Sequence, residues 1–285
     1  MYKLSIITLH KGHYGNLAKT IESILFQKEY PFDQLELVIV DGNKNDIFEK
    51  PNNYFSLSKL INVNYIYKPD LIGIYPNMNY AINQAKGDNL IFLNSGDRLI
   101  DAFSLKYLFL NLKSCPDIIF CKVKIQSING NKKFFYFPNC NENYIRNWLI
   151  FHCPHHQSIV IAAEIAKNFR FELCDGVSSD LIWKKNILNI SKKIIYIPKV
   201  LVGFKLDGVS SRKISFKRLI FLYNSSDFNL IFKILLSIKF LIKIFIDEDN
   251  FFKILVFKSY ITKLLVKTLA KLDIKYKKEI LIFKE

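Results

Sequence analysis

Apolar positions in the first 125 residues follow two alternating rhythms. Runs of β-branched and apolar residues predict strands at KLSIITL (3–9), LELVIVD (35–41), VNYIYK (63–68), NLIFLN (89–94) and DIIFCKVKI (117–125). Between them, GNLAKTIESILFQ (15–27) sets Leu17, Ile21, Ile24 and Leu25 at helical spacing. NMNYAINQAKG (77–87) places Met78, Ala81, Ile82 and Ala85 on one helix face and stops at a glycine. DAFSLKYLFLNLK (101–113) reads as another helix. Such alternation predicts an α/β fold, a mainly parallel sheet with helices on both faces.

Beyond 125 the rhythm changes. KVKIQSINGNKKFFYF (122–137) predicts a hairpin around Asn129-Gly130, ENYIRNWLI (142–150) a helix, and HHQSIVIA (155–162) a strand. SSDLIWKKNILNI (178–190) predicts a helix capped by Ser178 or Ser179, and residues 192–210 strand-like runs broken at Pro198. From about 212 the chain becomes long apolar stretches with a lysine every four to six residues. Lys263, Lys267 and Lys271 form one helical stripe opposite Ile261, Leu265 and Leu272. The expected organisation is a domain over 1–211, with halves 1–125 and 126–211, and a basic amphipathic helical tail over 212–285.

Composition narrows the classes. Half of the 285 residues are apolar, enough for a sizeable core. Five scattered cysteines without a CxxC pair argue against a disulfide framework and a zinc ribbon, and fit a reducing cytosol. HCPHH (152–156) lacks the second Cys/His pair of a tetrahedral zinc site. No window reaches the roughly 18 uninterrupted apolar residues of a transmembrane helix. The net charge of +16 favours anionic partners, and more than half of it lies in the tail. Cationic amphipathic helices suit an anionic membrane surface; helices packed on the core with solvated lysines give the same pattern. Lys-, Ile-, Asn- and Phe-rich composition also follows from AT-rich codons.

Two predicted strands end in acids: Asp41 in VIVDG and Asp97 in LNSGD. In a parallel sheet both fall at the carboxyl edge, where open α/β sheets bind ligands. Divalent Mg or Mn binds through one or two carboxylates plus substrate phosphates. Asx-turns capping two loops would place the same residues there.

LSIIT, VIVDG and GIYPNMNYAINQAKGDNLIFLNSGD together resemble family 2 glycosyltransferases, and so do HHQSIVI, SSDLIW and FKLDGVSSRK further on. The later elements resemble the branch acting in bacterial exopolysaccharide synthesis, the colanic acid fucosyltransferase type. The resemblance covers about residues 3–212. It implies a GT-A fold with a Rossmann-like sheet, and an inverting transfer of sugar from a nucleotide-sugar donor, UDP- or GDP-linked, to a glycan or lipid-linked acceptor. It implies a divalent metal, Mn or Mg, at Asp97. It assigns Thr8, Asp41, Asp46, Asn79, Asn94, Ser95, His156 and Gln157 to the nucleotide sugar, and Asp180 as the base. The cysteine usage and the basic amphipathic tail, which lies outside the resemblance, lead to the expectation of a cytoplasmic protein, peripheral on the inner face of the cell membrane. A sugar-nucleotide nucleotidyltransferase would need a glycine-rich basic loop after the first strand, where TLHKGHYGNLAK has only Gly12 and Gly15. A non-enzymatic binder of nucleic acid or another anionic polymer would need cations interleaved with stacking aromatics along a groove. Here the charge concentrates in an apolar tail, so no nucleic-acid partner is expected.

Overall fold

The computed structural model describes residues 3–44, 51–126, 134–172, 179–205, 263–273 and 276–283. Among these residues, ten strands form one sheet: β1 (Leu4–His10), β2 (Leu35–Asp41), β3 (Asn62–Tyr67), β4 (Asn89–Phe92), β5 (Arg98–Leu99), β6 (Ile118–Gln126), β7 (Phe134–Phe137), β8 (Ile159–Ala162), β9 (Ile194–Lys205) and β10 (Ile280–Ile282). The main path runs β10-β9-β6-β8-β4-β1-β2-β3, with β5 on β9 and β7 on β6. The first half is parallel, as the alternation predicts: β4, β1, β2 and β3 all run one way. β8 is antiparallel to both β4 and β6, which makes the second half mixed.

Helices cover both faces. α1 (Tyr14–Leu25), α2 (Asn52–Ser58) and α4 (Ser104–Leu112) lie on one side, α3 (Ile74–Gln84), α5 (Ile145–Phe151), α6 (Ala163–Asn168) and α7 (Ser179–Ile190) on the other. Strand alternation splits the core between the faces. Ile6, Leu37, Ile91 and Ile119 pack with Leu17, Leu57 and Leu105; Ile7, Val38, Phe92 and Phe120 pack with Met78, Trp148 and Trp183. β2 is buried throughout, so alternation in its sequence is absent and only the apolar run is legible.

Three expectations are revised. Pro198 does not break the last long strand. β9 continues through it, and a register shift follows: Cys121 faces Ile197, while Lys122 faces Val200. A bulge absorbs the residue that cannot donate to the ladder. The tail is not helical throughout. Residues 263–271 are helical, but Ile280–Ile282 add a strand parallel to β9. Nor is that stretch separate from the domain: Val266 is buried, and Leu269, Tyr276, Ile280 and Ile282 pack against the core. Arg146 donates to the Tyr276 carbonyl at 2.9 Å. The expected turn at Asn129-Gly130 lies outside the described residues, although β6 and β7 pair antiparallel around it. Among the described residues, no helix is long and apolar enough to cross a membrane.

Candidate functional site

β1 is central, flanked by β2 and β4, and the three carboxyl ends meet at one edge. Asp41 ends β2 and is fully buried. Its Oδ2 accepts from Tyr14 Oη at 2.8 Å and from Tyr65 Oη; its Oδ1 accepts from the Asn43 amide at 2.9 Å. Burial, then the hydrogen bond to Asp41, pushes both phenols above their ordinary pKa, so they remain donors. His10 ends β1 and links the two flanking loops. Its Nδ1 shares a hydrogen bond with Ser95 Oγ at 2.9 Å and its Nε2 faces Asn43 Nδ2 at 3.2 Å. Burial lowers its pKa against the opposing pull of Asp41.

The turn after β4 is built from α1. Thr20 Oγ1 donates to the Asp97 carbonyl at 2.8 Å and accepts from the Gly96 amide at 2.9 Å. Gly96 sits at φ +99°, where a side chain is strained, and this lets the chain reverse. Asp97 is thereby turned inward, 5% exposed. Its Oδ2 accepts from Gln157 Nε2. Three buried polar atoms of the turn after β4 and of the His156–Gln157 turn have no hydrogen-bond partner among the described residues: Asn94 Oδ1, Gln157 Oε1 and His156 Nε2. An unpaired buried acceptor costs about 1–3 kcal/mol, so such a cluster suits a bound polar ligand. No group of three His, Cys, Asp or Glu among the described residues could hold a metal alone. Asp97 and Asn94 Oδ1 fit a hard divalent cation that takes its other oxygens from a phosphorylated substrate.

Gln157 belongs to a short turn, His156–Ser158, that leads into β8. Its neighbour His156 places Nδ1 3.7 Å from Asp180 Oδ2. Asp180 stands in the first turn of α7, where the helix dipole favours an anion. Lys184, one turn on and nearly buried, donates to Asp180 Oδ2 at 2.8 Å, and Tyr75 Oη reaches Oδ1 at 3.4 Å. Burial raises the Asp180 pKa, but Lys184 and His156 outweigh it, and the net position lies well below the ordinary carboxylate range. Burial takes His156 down to about 4, with Asp180 opposing and Lys184 adding to the fall, so its ring is neutral at pH 7. One turn of backbone thus joins Asp97 to Asp180.

Of the residues the sequence singles out, Asp41, Asn94, Ser95, Asp97, His156, Gln157 and Asp180 fall along this edge. Thr8 and Asn79 bond to the scaffold backbone. Thr8 Oγ1 donates to the Leu93 carbonyl at 2.8 Å, tying β1 to β4. Asn79 spends both polar ends on the Phe171 backbone, at 2.8 and 2.9 Å. Asp46 lies outside the described residues. His10, Tyr14, Tyr65 and Lys184 carried no sequence signal beyond their places near strand or helix ends.

Glycosyl transferase family 2 matches residues 5–162. No curated protein sequence matches the chain. Among solved structures, S. aureus TarS 1–349 superposes with a TM-score of 0.58, covering 85% of this chain and 71% of its own at 16% identity. TarS 1–349 in complex with UDP-GlcNAc gives 0.56, with 88% and 75% covered at 18% identity. Against the longer TarS chain the match covers 44% of that protein. The mannosyltransferase PcManGT from Pyrobaculum calidifontis, in complex with GDP-Man and Mn2+, gives 0.57, with 96% and 81% covered at 15% identity. At these identities the likeness is one of fold.

Proposed function

Because this chain belongs to glycosyl transferase family 2, we propose that it moves a sugar from a UDP- or GDP-linked donor to a hydroxyl of a cell-surface glycan or lipid-linked intermediate, with inversion at the anomeric carbon. The observation that carries this reading is the Asp97–Gln157–His156–Asp180 connection, which joins a cation-competent acid to an ionised acid on the helix opposite. Solved relatives in fold bind UDP-GlcNAc or GDP-Man with Mn2+, which supports a nucleotide-sugar donor.

In this reading the nucleoside lies over the ends of β1 and β2, within reach of Asp41 and its two tyrosines. The diphosphate points to Asp97. Asp97 and Asn94 would hold the divalent cation, Mn or Mg, which supplies charge neutralisation for the departing diphosphate. Asp180 takes the proton from the acceptor hydroxyl as that oxygen attacks from the opposite face of the sugar. Lys184 keeps the carboxylate charged and fixed, and neutral His156 buttresses it without competing for the proton. The catalytic unit over 1–211 is completed by Val266 and Ile280–Ile282 of the tail, and the tail's lysines rest on the anionic inner face of the cell membrane, where a lipid-linked acceptor is presented.

The test is a screen of UDP- and GDP-sugars, GDP-fucose included, for donor hydrolysis and transfer with and without Mn2+. The expected outcome is metal-dependent turnover in the wild type that Asp97→Ala abolishes. Asp180→Asn should retain donor binding and lose transfer by about 10²–10⁴-fold. Release of pyrophosphate from a nucleoside triphosphate would instead identify a nucleotidyltransferase.

A further inference from the structure

β6 outruns its neighbour. Only Ile118–Phe120 pair with β8, whereas Val123–Gln126 pair with β7 on one side and Val202–Lys205 of β9 on the other. β5 adds to the far side of β9. Four strand ends, in the order β7, β6, β9, β5, therefore project past the core at the carboxyl edge.

Alternation gives this projection two faces. Val123, Ile125, Val202 and Leu99 turn into the core beneath α1 and α4. The opposite face continues the side of β6 on which Phe120 belongs to the same core cluster as Trp183 of α7, the helix that carries Asp180 in its first turn. On that face the register sets Tyr136, Lys124, Gly203 and Arg98 in one row, and Phe134, Gln126 and Lys205 in the next. Phe134 is 44% and Tyr136 41% exposed, with centroids 5.4 Å apart and edges to faces. Lys124 Nζ stands 4.1 Å from the Phe134 centroid. Arg98, Gln126 and Lys205 are exposed, and neither row contains an acid. Ile100, 40% exposed, packs over Gly203 between Lys124 and Arg98, adding an apolar surface to the row, and Arg98 directly follows Asp97.

We infer that this face is the acceptor platform, and that it selects an anionic glycan. The negative face of an aromatic ring attracts the C–H face of a pyranose, and two exposed rings form a step of sugar size. Lys124, Lys205 and Arg98 complement a carboxylate or phosphate group on the bound sugar. The platform shares its edge with Asp97 and its sheet face with Asp180, so a chain lying on it is led toward the base. This inference rests on the glycosyltransferase reading, but its test needs no turnover, and the two fail separately.

Full-length protein is titrated calorimetrically with three probes: neutral chitotetraose, a hyaluronan tetrasaccharide carrying carboxylates, and glucose 1-phosphate. At least one anionic probe should bind about tenfold more tightly than chitotetraose, equivalent to about 1.4 kcal/mol. The tighter one identifies carboxylate or phosphate as the recognised group. Phe134→Ser/Tyr136→Ser should weaken that probe about tenfold, and Lys124→Gln should erase the preference for charge while sugar binding persists. Circular dichroism follows folding, and the single variant Tyr136→Ser replaces the double one if the latter unfolds. Equal binding of neutral and anionic sugars, or unchanged binding by the aromatic variants, overturns the assignment. So does a dimer in sedimentation that the aromatic variants dissociate, since the face would then be occupied by a second copy.

Discussion

Asp180 is an acid whose neighbours decide its chemistry. Burial alone would protonate it more readily; the Lys184 ammonium at 2.8 Å reverses that. Among the described residues, it also interacts with His156 and His155 just before β8, with the Tyr75 hydroxyl from α3 and with Cys153. Lys184→Met should therefore move the acid limb of kcat/KM to higher pH, by a unit or more, and Lys184→Arg should restore it; a pH–rate profile checks both. His156 carries the opposite linkage. Its folded pKa of about 4 lies below the unfolded value near 6.5, so the unfolded chain binds the extra proton between these limits. Stability should fall as pH drops through that window, by about 3 kcal/mol in full. Denaturant melts of wild type and His156→Gln at pH 7 and pH 4.5 would read this, with the slope flatter in the variant. The three acids of the site were legible because each closes a motif within one segment. His10, Tyr14, Tyr65 and Lys184 were not, since their roles arise only when separate segments meet. That Thr8 and Asn79 spend their hydrogen bonds on backbone was not legible, because a motif does not say which way a side chain's hydrogen bonds run.

Among elements, the turn after β4 and the far edge of the sheet matter most. Gly96 holds a backbone angle that L-residues avoid, and the turn it makes aims Asp97. Gly96→Ala should cost about 1–2 kcal/mol of stability and raise the donor KM in Mn2+; chemical denaturation and donor kinetics measure the two. Removing residues 276–285 would strip Ile280 and Ile282 from the core and bare the β9 edge. A lower melting temperature and greater aggregation are the expected results, read by calorimetry and light scattering. The alternating half of the fold was legible because a buried parallel strand and an amphipathic helix differ in length and period. β5, β10 and the bulge at Pro198 were not. Two or three residues carry no periodicity, and a bulge depends on what the partner strand offers. β8 was recognisable as a strand, but its reversed direction was invisible, since direction is a property of the sheet.

At the scale of the molecule, charge and apolar surface are distributed unevenly. The helix at 263–271 buries Val266 yet leaves Leu264 63% and Leu265 37% exposed beside Lys263, Lys267 and Lys271, and Leu272 just after it is 64% exposed. The full chain should float with vesicles containing anionic lipid at low ionic strength and detach as salt is raised; flotation across a salt series tests this. Another property of the whole follows from the turn that carries both His156 and Gln157. One peptide bond separates the side chain that meets Asp97 from the side chain that meets Asp180. In the proposed reading, a donor that draws Asp97 away from Gln157 would alter what its neighbour offers the incoming hydroxyl. Thermodynamic reciprocity then requires the second substrate to change the affinity of the first by the same factor. Two adjacent residues, His156 and Gln157, are thus the shortest path by which occupancy near Asp97 can be felt at Asp180.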